Sequence, residues 1–137
     1  MNNTECKIQM LDLYFSKYSF SQERNKKIDE EYSTSFNINY AENNDDDSKI
    51  KVTIDTSVSD KGGELALELQ AVGIFNIEKE NTEKSIYEHL VQVNTVAIMF
   101  PFIRSQISLL TTQPGIKPIM LPPINLNALI DSNNNEE

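Results

Sequence analysis

A long apolar stretch near the C-terminal end limits what this chain can fold into. Residues Val96–Ile124 read VAIMFPFIRSQISLLTTQPGIKPIMLPPI, within a chain whose net charge is −9. At about 100° per residue, the helical part of this stretch places apolar side chains on two separate sides. The first side comprises Val96, Met99, Phe100, Ile103, Ile107 and Leu110. The second side, here called the outer stripe, comprises Ile98, Phe102 and Leu109. One side can cover the protein's own sheet, whereas the outer stripe needs a second subunit or an apolar ligand.

Four earlier stretches favour β-strands, because apolar and polar residues alternate along them. They are Cys6–Phe20, Tyr32–Tyr40, Ile50–Thr56 and a fourth stretch that begins at Leu65 and ends near Gly73–Phe75. The first stretch changes parity at Met10–Leu11, which predicts either a bulge or a strand buried on both faces. The segment Ser21–Glu31 is long for a hairpin loop, so a crossover is an alternative to a hairpin there. The pattern predicts a four-stranded antiparallel sheet.

Helical spacing follows the strands. Thr82–Val93 predicts a first helix, and Asn94 or Thr95 can cap a second one that runs to about Thr112. Leu126–Ile130 can form a final helical turn. Strands first and helices afterwards predict an α+β fold, with two helices packed on one face of the sheet. We expect a single domain over residues 1–130 and a disordered acidic tail over residues 131–137.

Composition limits the cellular setting and the partners. The chain has 21 acidic and 12 basic residues, a balance that repels nucleic acid and anionic lipid. Its single cysteine, Cys6, excludes an internal disulfide and favours a reducing compartment. The N-terminus lacks the pattern of a secretory signal, and Pro101 and Arg104 interrupt the best candidate for a membrane span. We therefore expect a cytoplasmic protein without membrane insertion.

The residues needed for catalysis are not grouped in the sequence. His89 is the only histidine, and a surface position in a short amphipathic helix accounts for it. Gly62–Gly63 is a hairpin turn without the lysine of a phosphate-binding loop. The run Asp45–Asp47 lacks the spaced ligands and the central glycine of a calcium loop. The sequence predicts no enzyme, no cofactor and no metal.

Three motifs in order resemble the SecB family of protein-export chaperones. They are Gly73–Ile74–Phe75–Asn76–Ile77, Met99–Phe100–Pro101–Phe102–Ile103–Arg104 and Leu121–Pro122–Pro123–Ile124–Asn125–Leu126–Asn127–Ala128–Leu129. Tyr14 and the pair Ser19–Phe20 also resemble the family's first strand. The resemblance implies a four-stranded antiparallel sheet with helices on one side, assembled as a homotetramer that is a dimer of dimers. It also implies an ATP-independent chaperone, which holds unfolded precursor polypeptides in the cytosol and passes them to the export motor SecA.

The resemblance assigns roles to particular positions. Leu67, Leu69 and Ala71 match positions that help hold the family's tetramer, and Ile98 and Leu109 of the outer stripe are further candidates for oligomer contacts. Glu68 matches a residue of an acidic patch that contacts SecA. The family's grooves are lined by aromatic and aliphatic side chains. The candidates for client binding here are Tyr32, Phe36, Phe75, Phe100, Phe102 and Leu121, and ordinary core packing is the alternative for each.

The sequence also departs from the family pattern. Lys17 and Ser21 stand where the family's first strand carries two acidic residues of the patch that contacts SecA. This departure leaves open a second interpretation, a SecB-like chaperone dedicated to one partner such as an antitoxin or one secreted protein. A third interpretation is an oligomeric interaction protein in which subunit contacts consume the whole outer stripe.

Overall fold

The protein is described from a computed structural model, which covers residues 7–23, 31–43, 45, 48–78, 84–112, 118–122 and 124–135. Four strands precede two helices. The strands are β1 (Lys7–Gln22), β2 (Tyr32–Glu42), β3 (Lys49–Asp60) and β4 (Leu65–Glu78). The helices are α1 (Lys84–Leu110) and α2 (Leu126–Asn135). The predicted α+β class is confirmed.

The four strands form one antiparallel sheet in the order β1-β4-β3-β2. Strands β2, β3 and β4 are neighbours in sequence and in space. Strands β1 and β2 lie at opposite edges, so the connection between them spans the sheet. The crossover alternative for Ser21–Glu31 is therefore confirmed, although residues 24–30 lie outside the described part of the chain.

Strand β1 is irregular at two points. Its pairing with β4 shifts register between Met10 and Asp12 and again between Phe15 and Lys17. The first shift is the bulge predicted from the change of parity at Met10–Leu11. Bulges re-aim side chains, and these two keep apolar residues of β1 on the face that the helices cover.

That covered face holds the core. Alternate residues of the two central strands are buried on it, as the sequence pattern predicted. In β3 and β4 the core comprises Ile50, Val52, Ile54, Val58, Leu65, Leu67, Leu69, Ala71, Phe75 and Ile77. Several residues between them on the opposite face are exposed, among them Lys49, Lys51, Ser57, Ala66 and Glu68. Packing of both helices on one face of the sheet is thus confirmed.

Helix α1 is a single helix of 27 residues. The predicted break at Asn94 or Thr95 is wrong. The hydroxyl of the buried Thr95 donates to the carbonyl of Val91 at 2.6 Å. Because this bond satisfies the hydroxyl within the helix, Thr95 does not act as a cap and the helix continues past it. Pro101 lies inside the helix on an exposed side.

Helix α2 is longer than predicted. Asn125 caps its start, since its side-chain oxygen accepts from the amide of Ala128 at 3.1 Å. The helix continues to Asn135, so the prediction of a disordered tail from Asp131 is wrong for residues 131–135. Asn133, in the last turn, is buried because its side chain bonds to the sheet. Glu136 and Glu137 lie outside the described residues.

Part of α1 also meets a simple criterion for a membrane span. The stretch Glu88–Leu110 is long and apolar enough by length and composition, and 33% of an 18-residue segment within it is buried within the chain. Val96, Met99, Ile103 and Ile107 pack against the sheet and are at most 1% exposed. Such burial is typical of a helix that forms one layer of a folded domain.

Candidate functional site

The outer stripe of α1 is largely uncovered in the single chain. Phe102 is 46% exposed and Leu109 is 67% exposed, while Ile98 is partly buried. The side that faces the sheet is fully buried at Met99, Ile103 and Ile107. The two apolar sides predicted from the sequence therefore differ in environment, and only one is satisfied by the chain's own sheet. A row of large apolar side chains left in water favours binding of a partner.

The segment after α1 adds to this exposed surface. The hydroxyl of Ser108 donates to the carbonyl of Ile119 at 2.9 Å, and the hydroxyl of Thr111 accepts from the amide of Ile119 at 2.8 Å. These bonds fix the extended segment beside the end of the helix and bury Ile119. Met120 points outward and is 75% exposed, with its sulfur 3.5 Å from the Ser108 hydroxyl. A flexible thioether beside Ser108 suits a surface that adapts to different partners.

An aromatic pair joins α1 to the edge strand β2. The rings of Phe36 and Phe100 meet edge to face, with centroids 5.7 Å apart. Phe100 is 7% exposed, and Phe36 and Tyr32 are partly buried on the same strand face. The pair anchors the helix over β2.

The six candidate client-binding residues do not form one surface. Phe75 is fully buried, and Leu121 is 4% exposed. Phe36 of β2 pairs with Thr56 of β3, and Thr56 pairs with Leu69 of β4. Leu69 is therefore the β4 residue level with Phe36, and Phe75 lies six residues further along that strand. At about 3.3 Å per residue this is a separation of roughly 20 Å. Phe102 offers substantial exposed area, Tyr32 and Phe36 offer part of theirs, and Phe75, Phe100 and Leu121 belong to the core.

The candidate oligomer contacts also divide. Leu67, Leu69 and Ala71 are at most 3% exposed and form part of the core beneath the helices. They offer no exposed surface in the single chain, because their strand face is already covered. Ile98 and Leu109 lie on the outer stripe instead. A direct subunit contact therefore suits these two residues better, and an interface role for the β4 residues stays a prediction.

Glu68 lies on the open face of the sheet and is exposed. It pairs across β1 with Ser19, and the neighbouring pairs are Lys17 with Gln70 and Ser21 with Ala66. Lys17 and Ser21 therefore share the strand face and the immediate neighbourhood of Glu68. A shallow depression there is lined by both Lys17 and Glu68, together with Asp55 and Gln70. The charges are of mixed sign, and the surface is not a uniformly acidic patch.

One tyrosine links β2 to α1 through a polar contact in the core. The Tyr40 hydroxyl donates to the carbonyl of Gln92 at 3.1 Å. Burial raises the pKa of the Tyr40 phenol far above its usual range, and a hydrogen bond with the Thr95 side chain opposes part of that rise. The neutral phenol is thus the form that fits this contact.

The last turn of α2 contacts the outer edge of the sheet. The Asn133 side chain accepts from the amide of Ile38 and donates to its carbonyl, both at 3.0 Å. Sequence reasoning missed this residue and assigned it to the tail. No local signal marks it, since it sits in the polar run DSNNN and its partner is 95 residues away.

Metal-ligating groups do not cluster in the part of the chain that the structure describes. His89 is exposed on α1. Cys6, Asp46 and Asp47 lie outside the described residues. The features with functional potential are therefore the outer stripe, the β2 edge and the open face around Glu68.

Comparison with known proteins places this geometry among relatives. The family model described as preprotein translocase subunit SecB matches residues 1–137. An uncharacterised protein of Methanocaldococcus jannaschii is 31% identical over 81 residues, which is 59% of this chain and 51% of that protein. The protein-export protein SecB of Anaplasma phagocytophilum is 32% identical over 76 residues, or 55% of this chain and 48% of that protein. The chain thus aligns with about half the length of these curated relatives.

A solved structure shares the fold. It is the SecB-like chaperone of Mycobacterium tuberculosis in complex with a peptide from the HigA1 antitoxin, with a TM-score of 0.70 at 15% identity. The match covers 86% of this chain and 88% of that chain. At this level of identity the likeness concerns the arrangement of sheet and helices alone.

Proposed function

This chain belongs to the SecB family, and we propose that it is an ATP-independent holdase chaperone of the cytoplasm. It binds unfolded precursor polypeptides through apolar surface and keeps them competent for export by the Sec translocase. The observation that carries this proposal is the outer stripe, where Phe102 and Leu109 are 46% and 67% exposed in a helix whose other side is fully packed. Among the candidate residues, Phe102 is the one that we assign to direct contact with the client, because it lies on the outer stripe.

The physical basis of holding is burial of apolar area. A surface that covers a few large client side chains gains about 25 cal/mol per Å² buried, without requiring a particular sequence. Several weak contacts on one assembly add through effective concentration. The net charge of −9 favours basic clients and keeps loaded complexes soluble.

As the family resemblance implies, the chain assembles as a homotetramer, a dimer of dimers, and the surplus of apolar surface supports such self-association. Self-association through Ile98 and Leu109 covers part of the outer stripe, and the remainder serves clients. Tyr32 and Phe36 border the client surface at β2. Phe75, Phe100 and Leu121 support it from the core.

The test is suppression of aggregation. Phe102→Asp places a charge in the apolar contact and should weaken the suppression of aggregation of an unfolded model polypeptide severalfold. Ala97→Asp adds the same charge at an exposed position on the same helix, about 100° or more around the helix axis from the outer stripe, and should leave suppression close to wild type. Light scattering of the model polypeptide measures both. A Phe102→Asp protein that assembles and protects as well as wild type would contradict the assignment.

A second candidate is a chaperone dedicated to one partner. Lys17 beside Glu68 on the open face favours it, because the positive charge weakens a surface that the family uses to contact SecA. The peptide complex of the Mycobacterium tuberculosis relative provides a precedent in the fold. A binding experiment with purified SecA separates the two candidates, since a chaperone for general export binds SecA and a dedicated one binds it negligibly.

A further inference from the structure

We propose that the outer edge of β2 is a pairing site for one extended segment of a non-native polypeptide, and that Asn133 occupies this site when no client is bound. The inference rests on the proposed function and deepens it. It assigns the client's backbone a hydrogen-bonding partner, in addition to the apolar surface that its side chains meet.

Hydrogen bonding defines which residues of β2 face outward. Strand β2 is an edge strand and pairs only with β3 among the described strands. At its two ends, Asn43 donates to Lys49 and Glu31 accepts from Lys61, so odd-numbered positions bond to β3. In an antiparallel pair this alternation turns the amides and carbonyls of the even-numbered positions away from β3. Thr34, Phe36 and Ile38 therefore present backbone groups at the outer edge.

Asn133 fills this edge in the manner of a peptide group. Its carboxamide oxygen accepts from the Ile38 amide and its nitrogen donates to the Ile38 carbonyl, each at 3.0 Å. A strand paired at this position would make the same two bonds. The outward backbone groups of Thr34 and Phe36 have no hydrogen-bond partner among the described residues. The edge is thus occupied at one position and open beside it.

Asn133 is the described residue through which the last turn of α2 hydrogen-bonds to the edge. Ile130 anchors the helix in the core at 1% exposure, whereas Asp131 and Ser132 beyond it are exposed. Release of Asn133 breaks two buried hydrogen bonds to Ile38. A client strand restores both bonds and adds new ones at Thr34 and Phe36, so exchange favours the client.

The chemistry of the strand selects the occupant. Phe36 lies on the covered face of β2, while Ser33, Ser35 and Asn37 on the other face are exposed and polar. Backbone pairing requires no particular client sequence, which suits a holdase. Residues 31–48 contain five acidic residues and no basic one. The fitting occupant is therefore an extended segment, apolar on one face and poor in acidic residues.

The test removes one outward amide without touching the pairing with β3. Thr34→Pro deletes the amide, and proline is tolerated on an edge strand where that amide faces outward. Thr34→Val keeps the amide and is the matched control. The probe is reduced, carboxamidomethylated ribonuclease, which is basic and permanently unfolded. We expect Thr34→Pro to weaken its binding by about fivefold, the effect of one hydrogen bond, and Thr34→Val to leave it unchanged.

Asn133→Ala tests whether the Asn133 side chain competes with the client for the edge, and the expected change in binding has the opposite sign. Removal of the competing carboxamide should tighten binding of the same probe by roughly tenfold, and Ser132→Ala on the same turn should not change it.

Slower amide exchange at Thr34 and Phe36 when the probe is added to wild type would support the pairing even if Thr34→Pro fails to fold. Unchanged exchange there, equal binding by the two Thr34 variants, or weaker binding by Asn133→Ala would overturn the inference and leave the holdase proposal standing. Pairing of β2 with a second copy, seen as protection of Thr34 without the probe, would also overturn it. If wild type does not bind the probe, the proposed function fails as well.

Discussion

At the residue scale, Gly73 is a point of close approach between β4 and α1. An added Cβ would lie 2.7 Å from Phe75 Cε2 and 2.9 Å from Met99 Sδ. Both distances are shorter than van der Waals contact, so a larger residue must displace a packed side chain. The glycine of the Gly-Ile-Phe motif is therefore explained by packing of the helix on the strand.

Gly73→Ala should destabilise the protein by about 1–3 kcal/mol, because overpacking forces Phe75 and Met99 out of their positions. Gly62→Ala is the matched control, since its nearest contact would be Glu64 Cγ at 3.7 Å. Urea unfolding of both variants measures the difference. Equal midpoints for the two would show that the helix does not pack on Gly73 as described.

Tyr40 makes stability depend on pH at the alkaline end. Because its pKa is raised in the folded state, the unfolded chain loses this proton first as pH rises past about 10. The contribution is therefore fully present below about pH 10 and is lost as pH rises above it. Tyr40→Phe should cost about 1 kcal/mol near neutral pH through the lost bond to Gln92.

The same variant should lose less stability than wild type between about pH 9 and pH 11, as measured by thermal unfolding across that range. Tyr18→Phe, at a position that is 57% exposed, is the control and should follow wild type. Parallel curves for wild type and Tyr40→Phe would contradict the buried contact.

At the element scale, the strands could be predicted because each has one buried face. Burial of alternate residues produces an alternation of apolar and polar residues that is visible in the local sequence. The second bulge of β1 had a readable signal as well, since Leu13 and Phe15 have odd parity whereas Tyr18 and Phe20 have even parity. This is the same kind of parity change that predicted the first bulge, and it occurs five residues further along the strand.

The helices show where local patterns stop being decisive. Thr95 can cap a helix or bond back within one, and both uses fit the same sequence. Packing of α1 along the sheet favours the continuous helix that is observed. The extent of α2 depends on Asn133 and Ile38, which are 95 residues apart. Such a contact leaves no trace in sequence periodicity. Neither the helical structure of residues 131–135 nor the bonds of Asn133 to the sheet could therefore be predicted.

One substitution can test the proposed role of the outer stripe in assembly. Leu109→Asp should shift the protein toward smaller species, because Leu109 is 67% exposed and a charge there opposes apolar contact between copies. Ala97→Asp, at an exposed position of α1 outside the outer stripe, should keep the assembly of wild type. Mass in solution, from light scattering at several concentrations, is the measurement. Identical masses for wild type and Leu109→Asp would remove the stripe from the interface.

Stability of the single fold should be nearly unaffected by the same change. Exposed positions tolerate substitution within about 0.5 kcal/mol when no packing is lost. Circular dichroism of Leu109→Asp therefore serves as the check that reduced mass reflects lost contacts rather than unfolding.

At the scale of the whole molecule, the candidate surface was predictable only in part. The two sides of α1 follow from helical geometry, so exposure of Phe102 and Leu109 could be expected from spacing alone. Burial of Phe75, Phe100 and Leu121 could not, because aromatic and aliphatic residues serve cores and grooves equally well. Placement relative to the sheet, which depends on strand order and on the path of α1, separates the two uses.

We infer that this chain recognises the non-native state of a polypeptide through apolar helix surface and a strand edge. The most direct test of this inference compares two forms of one sequence: native ribonuclease and the same protein reduced and carboxamidomethylated. Calorimetric titration of each into the wild-type assembly should show binding of the unfolded form and none of the native form. Equal binding of both forms, or binding of neither, would contradict the central claim.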